Sequence, residues 1–288
     1  MRGWWRDLTD LVLPAECGGC GRPRTVLCPE CRAALTGAAP CRVRPVPEPA
    51  GLPVVHAAAP YGDEVRAMLL AHKERGALAL AAPLGAALAG AVRAALGPRG
   101  HPDPPGRPTA PQVRPGPGKG AVRRPVLLVP VPSARRAVRA RGHDPARRIA
   151  LAAAAELRRT GTPARVLGVL RQRRPVADQS GLNSRQRAAN LAGALETVAG
   201  GGRLLAGGSR VVLVDDLMTT GASLAEAARA VRAAQSGARA LRWTGERKES
   251  MEVYGRIAGR EQAGGRSGDT VGSAVIAAPP DAFEINRN

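Results

Sequence analysis

Apolar runs of strand length alternate with helix-length amphipathic stretches through the second half of the chain. Val126–Val131 is a short apolar run of the kind that forms a buried strand. Pro145–Thr160 has helical periodicity, with Asp144 placed to cap its start and Gly161 just past its end. Ala164–Leu170 predicts a second strand, Arg185–Leu195 a helix, Arg210–Val214 a third strand, Ser223–Ala234 a helix and Gly272–Ala278 a last strand. Strands alternating with helices predict an α/β fold with a mainly parallel, twisted sheet covered on both faces.

The first half reads differently. Residues 51–97 are Ala-rich and read as a helical hood segment, with Val65, Met68, Leu69 and His72 sharing one helical face. Ala77–Leu96 is the most apolar stretch. Pro83 and Arg93 interrupt it and its residues are mostly Ala, so it predicts a packed helix and not a membrane span, which needs ~20 strongly apolar residues. Residues 98–120 are Pro/Gly-rich with no apolar period, which predicts a flexible loop. Residues 1–50 hold every cysteine and many turn formers and read as a small module ahead of the α/β domain at 121–278. Within that domain, 240–270 is polar, charged and Gly-rich and reads as a disordered insertion; alternatively, Ala238–Leu241 is a short strand and the rest an extension. Residues 279–288 carry no readable pattern, and no internal repeat is evident.

Composition sharpens this picture. A hydrophobic content of 44% across 288 residues suffices for a packed core, but aromatics are only 2%, so that core must be built from Ala, Val and Leu. Net charge is +20, almost all of it from arginine; the only lysines are Lys73, Lys119 and Lys248. A strong basic balance predicts attraction to phosphates, although an Arg-rich compositional bias accounts for part of it. Met1–Leu13 is short, contains Asp7 and Asp10 and lacks an apolar run, so it does not read as a signal peptide. With cysteines in close pairs that suit metal ligation, the expectation is a cytoplasmic protein with no membrane insertion.

The most informative segment is VVLVDDLMTTGASL, Val211–Leu224. An apolar strand delivers Asp215 and Asp216 at its C-terminal end, where ligands of open parallel sheets bind. Met218, Thr219, Thr220, Gly221, Ala222 and Ser223 then run straight into a helix, a turn whose backbone N–H groups can cradle a phosphate. The bland alternative is two surface carboxylates and a helix cap. No lysine follows the glycine, which excludes a Walker loop. The segment resembles the 5-phosphoribosyl-1-diphosphate (PRPP) signature of type I phosphoribosyltransferases. By that resemblance Asp215 and Asp216 contact the ribose hydroxyls, Met218–Ser223 wrap the 5′-phosphate, and Mg²⁺ is held mainly by the diphosphate and ribose oxygens.

A second concentration of charge follows the first strand. Arg135, Arg136, Arg139 and Arg141 lie within seven residues ahead of Gly142-His143-Asp144. Stabilising departing diphosphate is one role for such a patch, with Arg135 and Arg141 best placed. A solvated basic turn or a nucleic-acid contact is the other reading. VPVPSARRAVRARGHDPA resembles the corresponding stretch of the ComF (competence protein F) family. Tyr61–Arg66 with His72–Gly76, and Leu170-Arg171 with Gln179–Asn190, resemble further elements of that family in the same order. Gln179–Asn190, with Arg185, Arg187 and Asn190, reads either as a lid over PRPP or as an exposed loop and helix start.

The cysteines are spaced Cys17-x2-Cys20-x7-Cys28-x2-Cys31, two knuckles that predict a compact, closed structural zinc site with four thiolate ligands. Four reduced cysteines without metal are the alternative, and Cys41 stands apart as a spare thiol. The ComF family carries a similar N-terminal zinc element. Three functions follow as expectations. One is Mg²⁺-dependent phosphoribosyl transfer from PRPP to an unidentified acceptor. A second is a binding protein of competence and DNA uptake, contacting single-stranded DNA and competence proteins. The third is a PRPP-responsive regulator of nucleotide metabolism. Stacking aromatics are scarce (Trp4, Trp5, Tyr61, Trp243, Tyr254 and Phe283), so DNA binding would rest on Arg–phosphate contacts.

Overall fold

A computed structural model describes residues 16–97, 124–176, 183–253 and 271–283, without the side chains of Arg135 and of 242–253. Its centre is a six-stranded sheet. The strands are β1 (Cys41–Val43), β2 (Val55–Pro60), β3 (Val126–Pro130), β4 (Ala164–Val166), β7 (Val211–Leu217) and β8 (Val271–Ala278). They lie in the order β1-β2-β8-β7-β3-β4, and every neighbouring pair is parallel except β1 with β2. A separate antiparallel pair joins β5 (Leu170–Gln172) to β6 (Leu195–Thr197). The helices are α1 (Pro29–Thr36), α2 (Asp63–Glu74), α3 (Ala81–Leu96), α4 (Arg135–Arg141), α5 (Pro145–Arg159), α6 (Ser184–Leu191), α7 (Gly201–Leu205) and α8 (Ala222–Val253).

Successive strand residues point to opposite faces, and each face has its own core. Leu128, Val212, Val214, Ala274 and Ile276 pack with residues of α2, α3 and α5. Leu127, Val129, Val211, Leu213 and Val275 pack with α8 and the β5–β6 pair. Burial on both sides is why these strands read as continuous apolar runs. With few aromatics, close approach of backbones replaces bulk. A Cβ on Gly85 of α3 would lie 2.4 Å from Ala152 Cβ and 2.9 Å from the Ala153 nitrogen in α5, so these helices meet at a distance that excludes even alanine there. The stretch Leu78–Leu96 is the one helix among the described residues long and apolar enough to cross a membrane. Its inner face packs on α5, β2 and β8, as expected of a packed helix.

The structure corrects several expectations. Residues 51–97 are not helical throughout: Val55–Pro60 is a strand parallel to β8, in a Val/Ala run with no alternation to announce it. Ala164–Leu170 is not one strand. The strand ends at Val166 and pairing resumes at Leu170, so that Ala164 joins the α5-side core while Val169 and Leu170 join the α8-side core. The helix expected over Arg185–Leu195 stops at Leu191, because Gly193 takes a positive φ of 67° and the chain re-enters as β6. The third strand extends past Val214 to Leu217. The alternative strand over Ala238–Leu241 does not form, since α8 runs through it to Val253, and most of the 240–270 insertion lies outside the described residues. The charged, unbranched residues of 238–253 favour helix as readily as they favour solvent. At the C-terminal end, Phe283 bridges to Val43 beside β1. Residues 1–15, 98–123, 177–182, 254–270 and 284–288 lie outside the described residues, and with them the leader reading, the Pro/Gly-rich loop and the Gln179–Leu182 part of the lid.

Candidate functional site

The C-terminal ends of β3 and β7, adjacent in the sheet, form the floor of a pocket of about 460 Å³. Val131–Ala134 enter from β3, Ala137 and Arg141 from α4, Lys73 from α2, and Gln172, Leu191 and Leu195 from the β5–β6 side. Asp215, Asp216, Leu217, Thr219 and Ser223 complete it from β7 and the start of α8.

Asp215 and Asp216 sit within β7 and so face opposite sides of the sheet. Asp216 follows the side of Val212 and Val214, the side that α2 covers. There Lys73 Nζ donates to Asp216 Oδ2 at 2.8 Å, with the carboxylate side chain 10% exposed. Asp215 Oδ1 accepts from the Asp216 backbone N–H at 2.9 Å. Loss of water around Asp215 and the neighbouring Asp216 charge push its carboxyl well above the usual carboxylate range, with Lys73 opposing. Burial works against the Lys73 ammonium, but Asp216 and Asp215 together outweigh it and hold its pKa above the ordinary value. Asp215 therefore favours its proton, while Asp216 has a cation beside it.

Lys73 is the site residue that sequence reasoning missed, although one signal for it existed. In a chain that uses arginine almost everywhere, a lysine at the end of a helix stands out. Next to it, Glu74 Oε1 accepts from Arg141 Nη1 at 2.9 Å, joining the end of α2 to the end of α4. His143 reinforces the junction, its Nε2 lying 3.3 Å from the His72 carbonyl. Two cations thus reach the pocket from two helices, each tied to a carboxylate.

The turn after β7 divides its labour. The Met218 N–H donates to Ala277 O at 3.0 Å and its side chain is buried in the α8-side core, so the methionine anchors the turn and offers no side chain to a ligand. Thr219 and Ser223 line the pocket; Thr220, Gly221 and Ala222 do not. Gly221 has φ 74°, and a Cβ there would lie 3.1 Å from Leu52 and 3.3 Å from Pro45. The Ala225 N–H to Gly221 O bond closes the first turn of α8, leaving the N–H groups ahead of it at the open helix end.

Of the other sequence-identified residues, Arg141 lines the pocket and Arg136 opens on an adjoining one. Arg139 is exposed and lines neither, and of Arg135 only the backbone, at the start of α4, is described. Arg185 is exposed, and neither it nor Asn190 reaches the pocket. Arg187 does approach it, donating to Thr219 Oγ1 at 3.3 Å. The helix that carries these residues is held by a reciprocal cap between Asn183 and Gln186.

The cysteine cluster is a separate centre. The Sγ atoms of Cys17, Cys20, Cys28 and Cys31 all lie within 4.8 Å of one another. Cys20 and Cys28 Sγ are 3.6 Å apart, close to the ~3.8 Å that tetrahedral zinc–thiolate bonds impose. The Cys28 N–H points at Cys17 Sγ at 3.4 Å and the Cys31 N–H at Cys28 Sγ at 3.5 Å, the inward-turned amides of a knuckle. Burial opposes the Cys17 thiolate, but amides of Cys20, Cys28 and Gly19 bring its pKa down to about 6. The donor set and spacing fit a structural metal such as zinc. Cys17, Cys28, Cys31 and Leu35 share a core with Met68 of α2 and Leu80, so this module buttresses the helix that carries Lys73. Cys41 lies outside it, in β1.

Comparison with known protein families and with curated proteins finds no match to this chain.

Proposed function

We propose that the chain is a PRPP-binding protein of the type I phosphoribosyltransferase kind, related to the ComF family, and that it transfers the phosphoribosyl group to an acceptor. One observation carries this reading: two adjacent carboxylates at the C-terminal end of a central parallel strand lead directly into a Thr/Gly/Ser turn at the start of a long helix, all at one pocket. In this reading Asp216 and Asp215 accept hydrogen bonds from the ribose hydroxyls. Thr219, Ser223 and the open amides of α8 hold the 5′-phosphate. Lys73 and Arg141 balance the diphosphate. The acceptor's nucleophile bonds to ribose C1 as the C1–O bond breaks; the electron pair departs with the diphosphate, which also takes the acceptor's proton.

Mg²⁺ belongs to this proposal as a companion of the ligand. The pocket lining offers two carboxylates, one of them claimed by Lys73, which is fewer oxygen donors than a protein cage for a hard cation needs. Its remaining ligands would come from PRPP. A cytoplasmic setting is proposed from the paired cysteines suited to metal ligation, and a link to DNA uptake from the ComF resemblance alone.

Calorimetric titration of PRPP with Mg²⁺ tests the reading on the wild type and on Asp215→Asn/Asp216→Asn. Micromolar binding by the wild type, lost in the double variant, is expected. A wild type that binds no PRPP overturns both transfer and sensing. Binding with no diphosphate release across a panel of bases, amines and their phosphorylated derivatives would leave a sensor in place of an enzyme.

A further inference from the structure

Beside the pocket that holds Asp215 and Asp216 lies a second one, of about 470 Å³. The two share Ala134, Gln172 and Val176 as a common wall. Each falls within the ~300–1,000 Å³ typical of small-molecule sites, so the second has room for a ligand of its own.

Their charges differ. The first pocket sets Lys73 and Arg141 against Asp215 and Asp216. Among the described residues, the second is lined by Arg136, Arg173 and Arg174 and by no carboxylate. Elsewhere the fold gives arginines acidic partners: Arg141 meets Glu74, Arg171 meets Glu196 and Arg229 meets Glu226. Among the described residues none of the three arginines of the second pocket has such a partner. Arg174 is nevertheless held in place, its Nη2 donating to the Asn190 and Ala192 carbonyls at 2.9 and 3.0 Å at the end of α6. Arg136 and Arg173 are exposed and both line the second pocket. Like charges gathered without counter-charge repel one another, and a dianion among them relieves that repulsion. Guanidinium groups pair bidentately with phosphate and carboxylate oxygens alike, and the three gathered charges favour the dianion, a phosphate.

We propose that this second pocket binds a phosphate-bearing small molecule alongside the ligand of the first. Resting on the PRPP reading, that molecule is the acceptor. A shared wall sets two ligands side by side, as transfer between them requires. The acceptor would thus already be phosphorylated, in contrast to a free base or amine.

Inorganic phosphate is the probe, titrated by calorimetry into the full chain at low salt, alone and with saturating PRPP and Mg²⁺. Three proteins are compared: wild type, Arg136→Ala/Arg173→Ala, and Arg147→Ala/Arg148→Ala, an exposed pair on α5. Phosphate binding should persist with PRPP present and weaken about tenfold or more in the first variant, the size of one lost charge-assisted bond. PRPP affinity of that variant should be unchanged, and the α5 variant should match the wild type. If PRPP abolishes phosphate binding, or the first variant loses PRPP affinity, the pocket serves the donor's own diphosphate and the proposal fails. Equal weakening in both variants also overturns it, leaving an adventitious ion on a basic surface. If PRPP does not bind at all, the titrations without it still compare the two variants, so failure of the PRPP reading and failure of the second pocket give different results.

Discussion

Replacing Lys73 with methionine removes the cation beside Asp216 while keeping most of the stem that packs along the pocket wall. Its magnitude depends on what is left behind. Deleting one partner of a fully buried ion pair costs about 3–5 kcal/mol, whereas exposed pairs are worth about 0–1 kcal/mol. Here the stranded Asp216 side chain is 10% exposed, but Lys73 is 36% exposed and the pocket is open to water. Solvent screening on the lysine side brings the expected loss to about 1–2 kcal/mol, between those limits. Asp216→Asn removes the other charge, so Lys73→Met should cost less in its presence, with a coupling of about 1 kcal/mol across the cycle. Urea unfolding of the four proteins at pH 7 measures this. The sign with pH is also determined. Because the folded-state pKa of Lys73 lies above its ordinary 10.5, its contribution is present below pH 10.5 and fades as pH rises through the folded value. The Lys73→Met deficit should accordingly be full at pH 7 and shrink at the alkaline end. Additive single effects, within about 0.3 kcal/mol, would refute the reasoning.

Three further outcomes are expected. Asp215 holds its proton above the ordinary carboxylate value of 3.8, so its contribution to stability declines as pH rises from there through the folded value and stays lowered above it. Asp215→Asn should therefore raise stability at pH 7 while weakening PRPP binding, a trade common at functional sites; thermal melts showing a less stable variant at neutral pH would contradict it. Elemental analysis should find one zinc per chain, lost in Cys28→Ser but retained in Cys41→Ser, and chelation should lower the melting temperature because the site stabilises the fold that encloses it. Gly221→Ala must place a Cβ at φ 74° against Leu52 and Pro45, so a loss of about 1–2 kcal/mol is expected in urea unfolding, and an unchanged midpoint would show that the turn relaxes freely.

The parts of this protein that are contiguous in the chain are legible in the order of its residues. The Cys17–Cys31 spacing specifies a four-sulfur cluster because two short knuckles need only meet each other. Val211–Ser223 specifies a strand, two carboxylates and a turn because those pieces follow one another directly. The Asp144 cap and the start of α5 at Pro145 are local for the same reason. What escapes such a reading is whatever depends on partners far away. The strand at Val55–Pro60 is an Ala-rich run, and only the vacancy beside β8 makes it a strand and not the start of a helix. The break in Ala164–Leu170 follows from two cores on opposite sides of the sheet competing for one apolar segment. Lys73 meets Asp216 across 143 positions, from a helix that shares a core with Val214 of β7. One stretch of chain therefore specifies the carboxylates and hydroxyls that a ligand would meet along it. Which distant cations stand opposite them is settled by how the helices dock on the sheet, because ion pairing is set by distance in space, and packing of small side chains carries no signature of the partner it will touch.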